Sequence, residues 1–167
     1  MDAVRLAGVP LFDGMPARLQ ASIASMMREE EVVDGTVLLA QGQRDGGVFL
    51  VLEGGVRVVR QVPGGGTVHL ATLGPGAVLG THATVDGGGR GASVVARGET
   101  RVAVLRRLTF EDLMAGQSAV ALGFQLAVIR DLAADVQRTN RRLVELASLP
   151  DQSLSLEALT GRLYGSV

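Results

Sequence analysis

Between residues 30 and 107 the chain rarely runs far without glycine. Gly35, Gly42, Gly46, Gly47, Gly54, Gly55, Gly64, Gly65, Gly66, Gly74, Gly76 and Gly80 bound short runs rich in Val, Leu and Thr. Glycine in a helix interior costs about 1 kcal/mol relative to alanine, and it admits the positive φ of tight turns. Such punctuation rules out long helices in this region and predicts many short strands joined by turns, as in a sandwich or barrel. Val56-Arg57-Val58-Val59-Arg60 and Arg101-Val102-Ala103-Val104-Leu105 alternate as strands with one wet face would.

Helical patterns flank this region. Residues 1–28 read as helical with a break at Asp13-Gly14-Met15-Pro16, after which Leu19, Ile23, Met26 and Met27 share one apolar face. Thr109–Met114 reads as a short helix and Ser118 to Ala147 as a long one. In the latter Leu122, Ile129, Val136 and Leu143 repeat every seven residues, and Leu126, Ala133, Asn140 and Ala147 form the second series of a coiled-coil seam. Two arrangements satisfy that pattern: the helix lies on its own β-layer, or Leu122, Leu126, Ile129, Ala133, Val136, Asn140 and Leu143 zip two copies together, with Asn140 setting the register. Ser148-Leu149-Pro150-Asp151 ends the helix. The remaining Leu154, Leu156, Leu159, Leu163 and Tyr164 suit either a tail packed on the dimer or frayed in solvent, or a segment that docks on a protein partner.

Composition removes several function classes. A length of 167 residues suits one domain, and 47% apolar with 20% charged residues is the profile of a packed protein. Net charge is −1 and all 16 basic residues are Arg, so no bulk positive field supports direct DNA binding. Without cysteine there are no disulfides or thiolate metal sites, which fits a reducing cytoplasm. The N-terminus carries an early acid rather than a signal peptide, and no apolar run reaches the ~20 residues of a membrane helix, so membrane insertion is not expected. The glycines form no phosphate-binding P-loop, for the chain has no Lys. His69 and His82 cannot make a metal triad, and no nucleophile–base set stands out; neither catalysis, nor a metal, nor a resident cofactor is expected.

Four strings then occur in order: Gly35-Thr36-Val37-Leu38-Leu39-Ala40-Gln41-Gly42; Gly46-Gly47-Val48-Phe49-Leu50-Val51-Leu52-Glu53-Gly54-Gly55-Val56-Arg57-Val58; Leu73-Gly74-Pro75-Gly76-Ala77-Val78-Leu79-Gly80; and Arg90-Gly91-Ala92-Ser93-Val94-Val95-Ala96. With the helices around them they resemble the cyclic nucleotide-binding domain family over residues 11 to 147. The resemblance implies a mainly β fold, a double-stranded β-helix (jelly roll) with N-terminal helices and a long C-terminal helix. It divides the chain into helices and roll at 1–117, a dimerisation helix at 118–147 and a tail at 148–167.

In that family the segment matching Gly76–Val94 is a phosphate-binding cassette, where a helix start presents backbone amides and an arginine pairs with the cyclic phosphate. The resemblance thus places Gly80, Thr81, His82, Ala83, Arg90, Gly91, Ala92 and Ser93 at the ligand, which is cyclic AMP or another cyclic nucleotide. The other reading of Arg90 is a surface residue in a flexible loop. Where family members carry a glutamate for the ribose 2′-hydroxyl, this chain reads Leu79-Gly80-Thr81-His82-Ala83. Loss of a charge-assisted bond removes roughly 1.5–3 kcal/mol, and His82 either substitutes for the acid or is structural. Thr139 and Asn140 match the place where relatives contact the purine, a role that competes with the register role of Asn140. Too few residues follow Ala147 for a helix-turn-helix domain. Two functions remain: a dimeric sensor of a cyclic nucleotide or dinucleotide that signals to a protein partner, and a ligand-free dimeric scaffold acting through its long helix and tail.

Overall fold

The computed structural model describes residues 6–44 and 46–148. It forms two compact units, one ending at Arg130 and the other beginning at Asp131. Of the tail expected at 148–167, residues 149–167, with the leucines and Tyr164, lie outside the described residues.

The first unit opens with a 3-10 turn at Pro10–Phe12 and helix α1, Ala17–Met26. Residues 1–28, expected to be helical, are therefore helical only in part, because Pro16 starts α1 and Arg28 already begins a strand. Ile23 and Met27 are buried as the periodicity predicts, whereas Met26 is exposed. Strands β1 (Arg28–Val32), β2 (Val37–Leu39), β3 (Val48–Val62), β4 (Gly66–Leu73), β5 (Val78–Leu79) and β6 (Ser93–Leu105) follow, with helix α2 (Thr81–Asp86) between the last two.

All strand pairs are antiparallel, and β3 with β6 forms the spine. One half of this ribbon is flanked by β1 on β6 and β5 on β3; the other half is flanked by β2 on β6 and β4 on β3. A single long ribbon thereby serves two four-stranded layers, which is the jelly-roll architecture.

Short strands were expected on either side of Gly54-Gly55, but the glycines sit inside the 15-residue β3. The cause is a bulge, since register slips on both sides of Glu53 and lets the ribbon turn from one layer into the other. Gly54 has φ +78°, and a Cβ there would lie 2.3 Å from the Glu99 carbonyl oxygen. Buried Thr100 seals the bend by donating its hydroxyl to the Gly55 carbonyl at 2.9 Å. Inside the roll Leu39, Val51, Val56, Leu79 and Val94 make a core from both layers. The end of β6 departs from one-wet-face alternation: Val102, Ala103, Val104 and Leu105 are all buried. Helices cover the second face there, and Leu105 shares a pocket with Phe12, Ile23 and Phe124.

Helices α3 (Arg107–Ala115) and α4 (Ala119–Ala147) complete the described elements, close to the spans the sequence predicts. Phe110 and Phe124 meet edge to face, with ring centroids 5.5 Å apart at 83°. Ala121, Phe124, Ala127 and Val128 form the buried side of α4, while Leu122, Leu126 and Ile129 are 54%, 48% and 60% exposed. Within the second unit α4 continues to Ala147 with Ala133, Val136 and Asn140 exposed and Leu143 half-buried. Ion pairs Arg138–Asp135 and Arg142–Glu145 lie on its surface. Among the described residues no helix is long and apolar enough to cross a membrane.

Candidate functional site

The cassette is built from β5, α2 and the loop into β6. Gly80 caps α2 with φ +89°, a left-handed conformation that costs other residues roughly 1–2 kcal/mol. Its carbonyl accepts the Thr84 hydroxyl at 2.7 Å, the Thr84 amide at 3.2 Å and Arg90 Nη1 at 2.6 Å. Arg90 Nη2 donates to the Gly47 carbonyl at 3.0 Å. The main chain of Arg90 is fixed as well: its amide donates to Gln43 O at 2.9 Å and its carbonyl accepts the Gly42 amide at 2.8 Å. Arg90 is 5% exposed, so the reading of a surface arginine in a flexible loop does not hold.

Three loops converge on this guanidinium, and glycine is required where they do. A Cβ on Gly80 would lie 2.6 Å from Arg90 Nη1, and one on Gly47 would lie 1.9 Å from the Leu105 carbonyl oxygen. The two bonds to the Gly80 and Gly47 carbonyls engage both terminal nitrogens of the guanidinium.

Beside Arg90 opens a cleft of about 450 Å³, a size suited to a small ligand. Six of the eight candidates in the roll line it: Gly80, His82, Ala83, Arg90, Gly91 and Ala92. Leu39, Val58, Val78, Leu79 and Val94 supply an apolar wall, and Asp86 and Gly89 complete the lining. His82 and Ala83 lie in the first turn of α2, whose leading amides have no intrahelical acceptor. Thr81 is not part of the lining. It is 3% exposed and its Oγ1 meets no hydrogen-bond partner among the described residues. Ser93 also stays outside, its Oγ accepting the Gln41 amide at 2.9 Å. Thr139 and Asn140 belong to the second unit and are exposed on α4. A cleft of about 480 Å³ elsewhere on the roll is lined by Glu31, Glu53 and Glu99 with Arg101, so its charge is unsuited to an anion.

Two features escaped the sequence reading. Asp86 stands four residues after His82, the spacing of one helix face, and that spacing would have marked it. Gln41 braces the roll, its side-chain Nε2 donating to Gln61 O at 3.1 Å while Oε1 accepts the Gln61 amide at 2.8 Å. Nothing in sequence marks that pairing. Among the described residues no cluster of His, Asp or Glu is arranged to hold a metal ion.

Residues 29–117 match the family model described as cyclic nucleotide-binding domain. The chain is 34% identical over 110 residues to a cyclic AMP receptor protein of Thermus thermophilus, covering 66% of this chain and 50% of that protein. It is 32% identical over 107 residues to a cAMP-dependent protein kinase regulatory subunit of Mycosarcoma maydis, covering 64% of this chain and 20% of that protein. The solved structure of a cyclic nucleotide-binding domain from Methylobacillus flagellatus superposes with a TM-score of 0.74 at 25% identity, covering 92% of this chain and 84% of that one. The chain thus spans half or less of the length of these two sequence relatives.

Proposed function

The chain belongs to the cyclic nucleotide-binding domain family, and from that premise we propose that the cleft beside Arg90 binds cyclic AMP or another cyclic nucleotide and reports its occupancy to a protein partner. The observation that carries this reading is the inward, buried guanidinium beside a ligand-sized opening. A cation fixed there puts a positive charge beside a phosphate in the cleft, while both terminal nitrogens of its fork donate to the Gly80 and Gly47 carbonyls. The first amides of α2, at His82 and Ala83, add donors for the same anion, and the apolar wall accepts the base or sugar face.

The relatives are regulatory proteins rather than enzymes, and this domain is read as regulatory too. Its output runs through α4. Leu122, Ile129, Val136 and Leu143 occupy one core series of a heptad and Leu126, Ala133, Asn140 and Ala147 the other, and Leu122, Leu126, Ile129 and Val136 are exposed in the single chain. A parallel homodimer covers this stripe, with Asn140 paired across the seam at the position where a polar residue sets register. Ligand shifts the helices only if it binds one of their arrangements more tightly than the other. Residues 148–167 offer a segment for the partner, and the lack of cysteine supports a reducing compartment such as the cytoplasm.

Thermal melting with millimolar cyclic AMP, cyclic GMP and cyclic di-GMP tests the reading. A ligand at 100 times its Kd adds about 2.7 kcal/mol, or roughly 5–10 °C for a chain of this size. An unchanged midpoint with all three overturns it. That outcome supports the second reading, a dimeric scaffold without ligand, which is favoured by Thr81, buried outside the cleft lining where the resemblance expects a glutamate. The scaffold dimerises through α4 regardless of nucleotide.

A further inference from the structure

The apolar stripe of α4 widens at its end. Beside the seam stand Gln125 and Arg130, then Leu132 and Gln137, then Thr139, so upstream of Asn140 the flanks are polar except for Leu132. In the last heptad both flanks are apolar. Val144 is 65% exposed and Leu146 is 40% exposed, on either side of half-buried Leu143 and Ala147. Leu143, Val144, Leu146 and Ala147 together span about 160° of the helix circumference, whereas a two-stranded seam needs only its two core positions. A parallel α4 dimer therefore leaves part of this surface open. The described chain ends at Ser148, one residue past the widened stretch, and residues 149–167 follow.

We propose that residues 156–164 fold back on their own helix and cover this surface, with Leu156, Leu159 and Leu163 set against Val144 and Leu146. Those three leucines recur at intervals of three and four, the spacing of one helical face. Ser155 stands at the N-cap position, Glu157 in the first turn, Arg162 in the last and Gly165 beyond it, the order of signals that starts and stops a helix. Pro150 keeps α4 from running straight on, and residues 149–155 give a connection within the roughly 2–8 residues usual between packed helices. A helix over 156–164 is about 13 Å long and reaches back over about two turns of α4, the stretch that carries the exposed pair. So short a helix is marginal alone in water, and docking is what holds it. The leucines cannot serve two surfaces at once, so a protein partner that takes them must first lift the segment off α4. The inference stands independently of nucleotide binding.

Hydrogen exchange of the full chain, followed by mass spectrometry of its tail peptides, tests the proposal. The expected result is exchange across 156–164 at least about tenfold slower than in an unstructured peptide. That protection is lost in Leu159→Glu, which alters the segment, and in the double variant Val144→Glu with Leu146→Glu, which alters the surface. Slow exchange retained across 119–140 checks that α4 stays folded in both. Ile129→Glu, on the seam and upstream of the pair, keeps the protection. Unstructured rates in the unsubstituted chain overturn the proposal, and a mass of four chains in sedimentation then assigns the surface to further copies. Protection that survives the double variant overturns it too, because the segment then rests elsewhere. Protection lost in Ile129→Glu overturns it in favour of docking on a second copy.

Discussion

Substituting alanine for two glycines on either side of α2 separates backbone strain from disruption of the Arg90 latch. Both Gly80 and Gly87 adopt positive φ, +89° and +68°, so each substitution carries the left-handed penalty of roughly 1–2 kcal/mol. They differ in what the new methyl meets. At Gly87 nothing lies within 4 Å, whereas at Gly80 the methyl would stand 2.6 Å from Arg90 Nη1 and 2.8 Å from the Gly47 carbonyl oxygen. Gly80→Ala must therefore push the guanidinium off a carbonyl it holds at 2.6 Å, losing a hydrogen bond to a charged group worth about 1.5–3 kcal/mol. The totals are about 1–2 kcal/mol for Gly87→Ala and about 3–5 kcal/mol for Gly80→Ala. At roughly 2–4 °C per kcal/mol, the second substitution lowers Tm by about 10 °C. Urea unfolding without ligand, with m compared between variants, measures both. Equal costs for the two substitutions would refute the latch, since strain alone would then account for Gly80.

Two other consequences are open to measurement. Arg90→Lys keeps the charge but has no planar fork to span the Gly80 and Gly47 carbonyls; it should weaken cyclic AMP binding by more than about tenfold in calorimetry, and an affinity within experimental error of the parent would contradict the phosphate role. Ile129→Glu, at a position 60% exposed in the single chain, should leave helical circular dichroism unchanged and convert a dimer to a monomer in sedimentation experiments; an unaltered mass would remove the α4 seam.

The fold was largely legible because its signals are local. The helix read as Ser118 to Ala147 spans Ala119–Ala147, and six of the seven seam positions are exposed in the described chain with Leu143 half-buried. Periodicity picked out the stripe of Leu122, Leu126 and Ile129 but left open whether it lies on the chain's own β-layer, and the structure buries Phe124 and Val128 instead. The bend in β3 was not legible. A Gly-Gly pair reads as a turn, and only the pairing of Glu53 with Arg101 and of Gly55 with Arg97 shows that the ladder continues past it. The site divided in the same way. Arg90, His82 and Ala83, singled out through their order along the chain, line one cleft, but what fixes Arg90 is backbone. The Gly47 and Gly80 carbonyls belong to every sequence alike, and one of them lies 43 residues away. The burial of Thr81 depends on how α2 is rotated, which no single residue type announces.

The central claim is that the Arg90 cleft is the seat of nucleotide binding, and a titration of the ¹⁵N-labelled chain with cyclic AMP followed by amide chemical shifts addresses it at the level of single residues. The account predicts saturable shifts that are largest at the amides of His82, Ala83, Gly91 and Ala92, the residues lining that cleft. Saturable shifts confined to other parts of the chain, or none at those four amides at millimolar nucleotide, would contradict it.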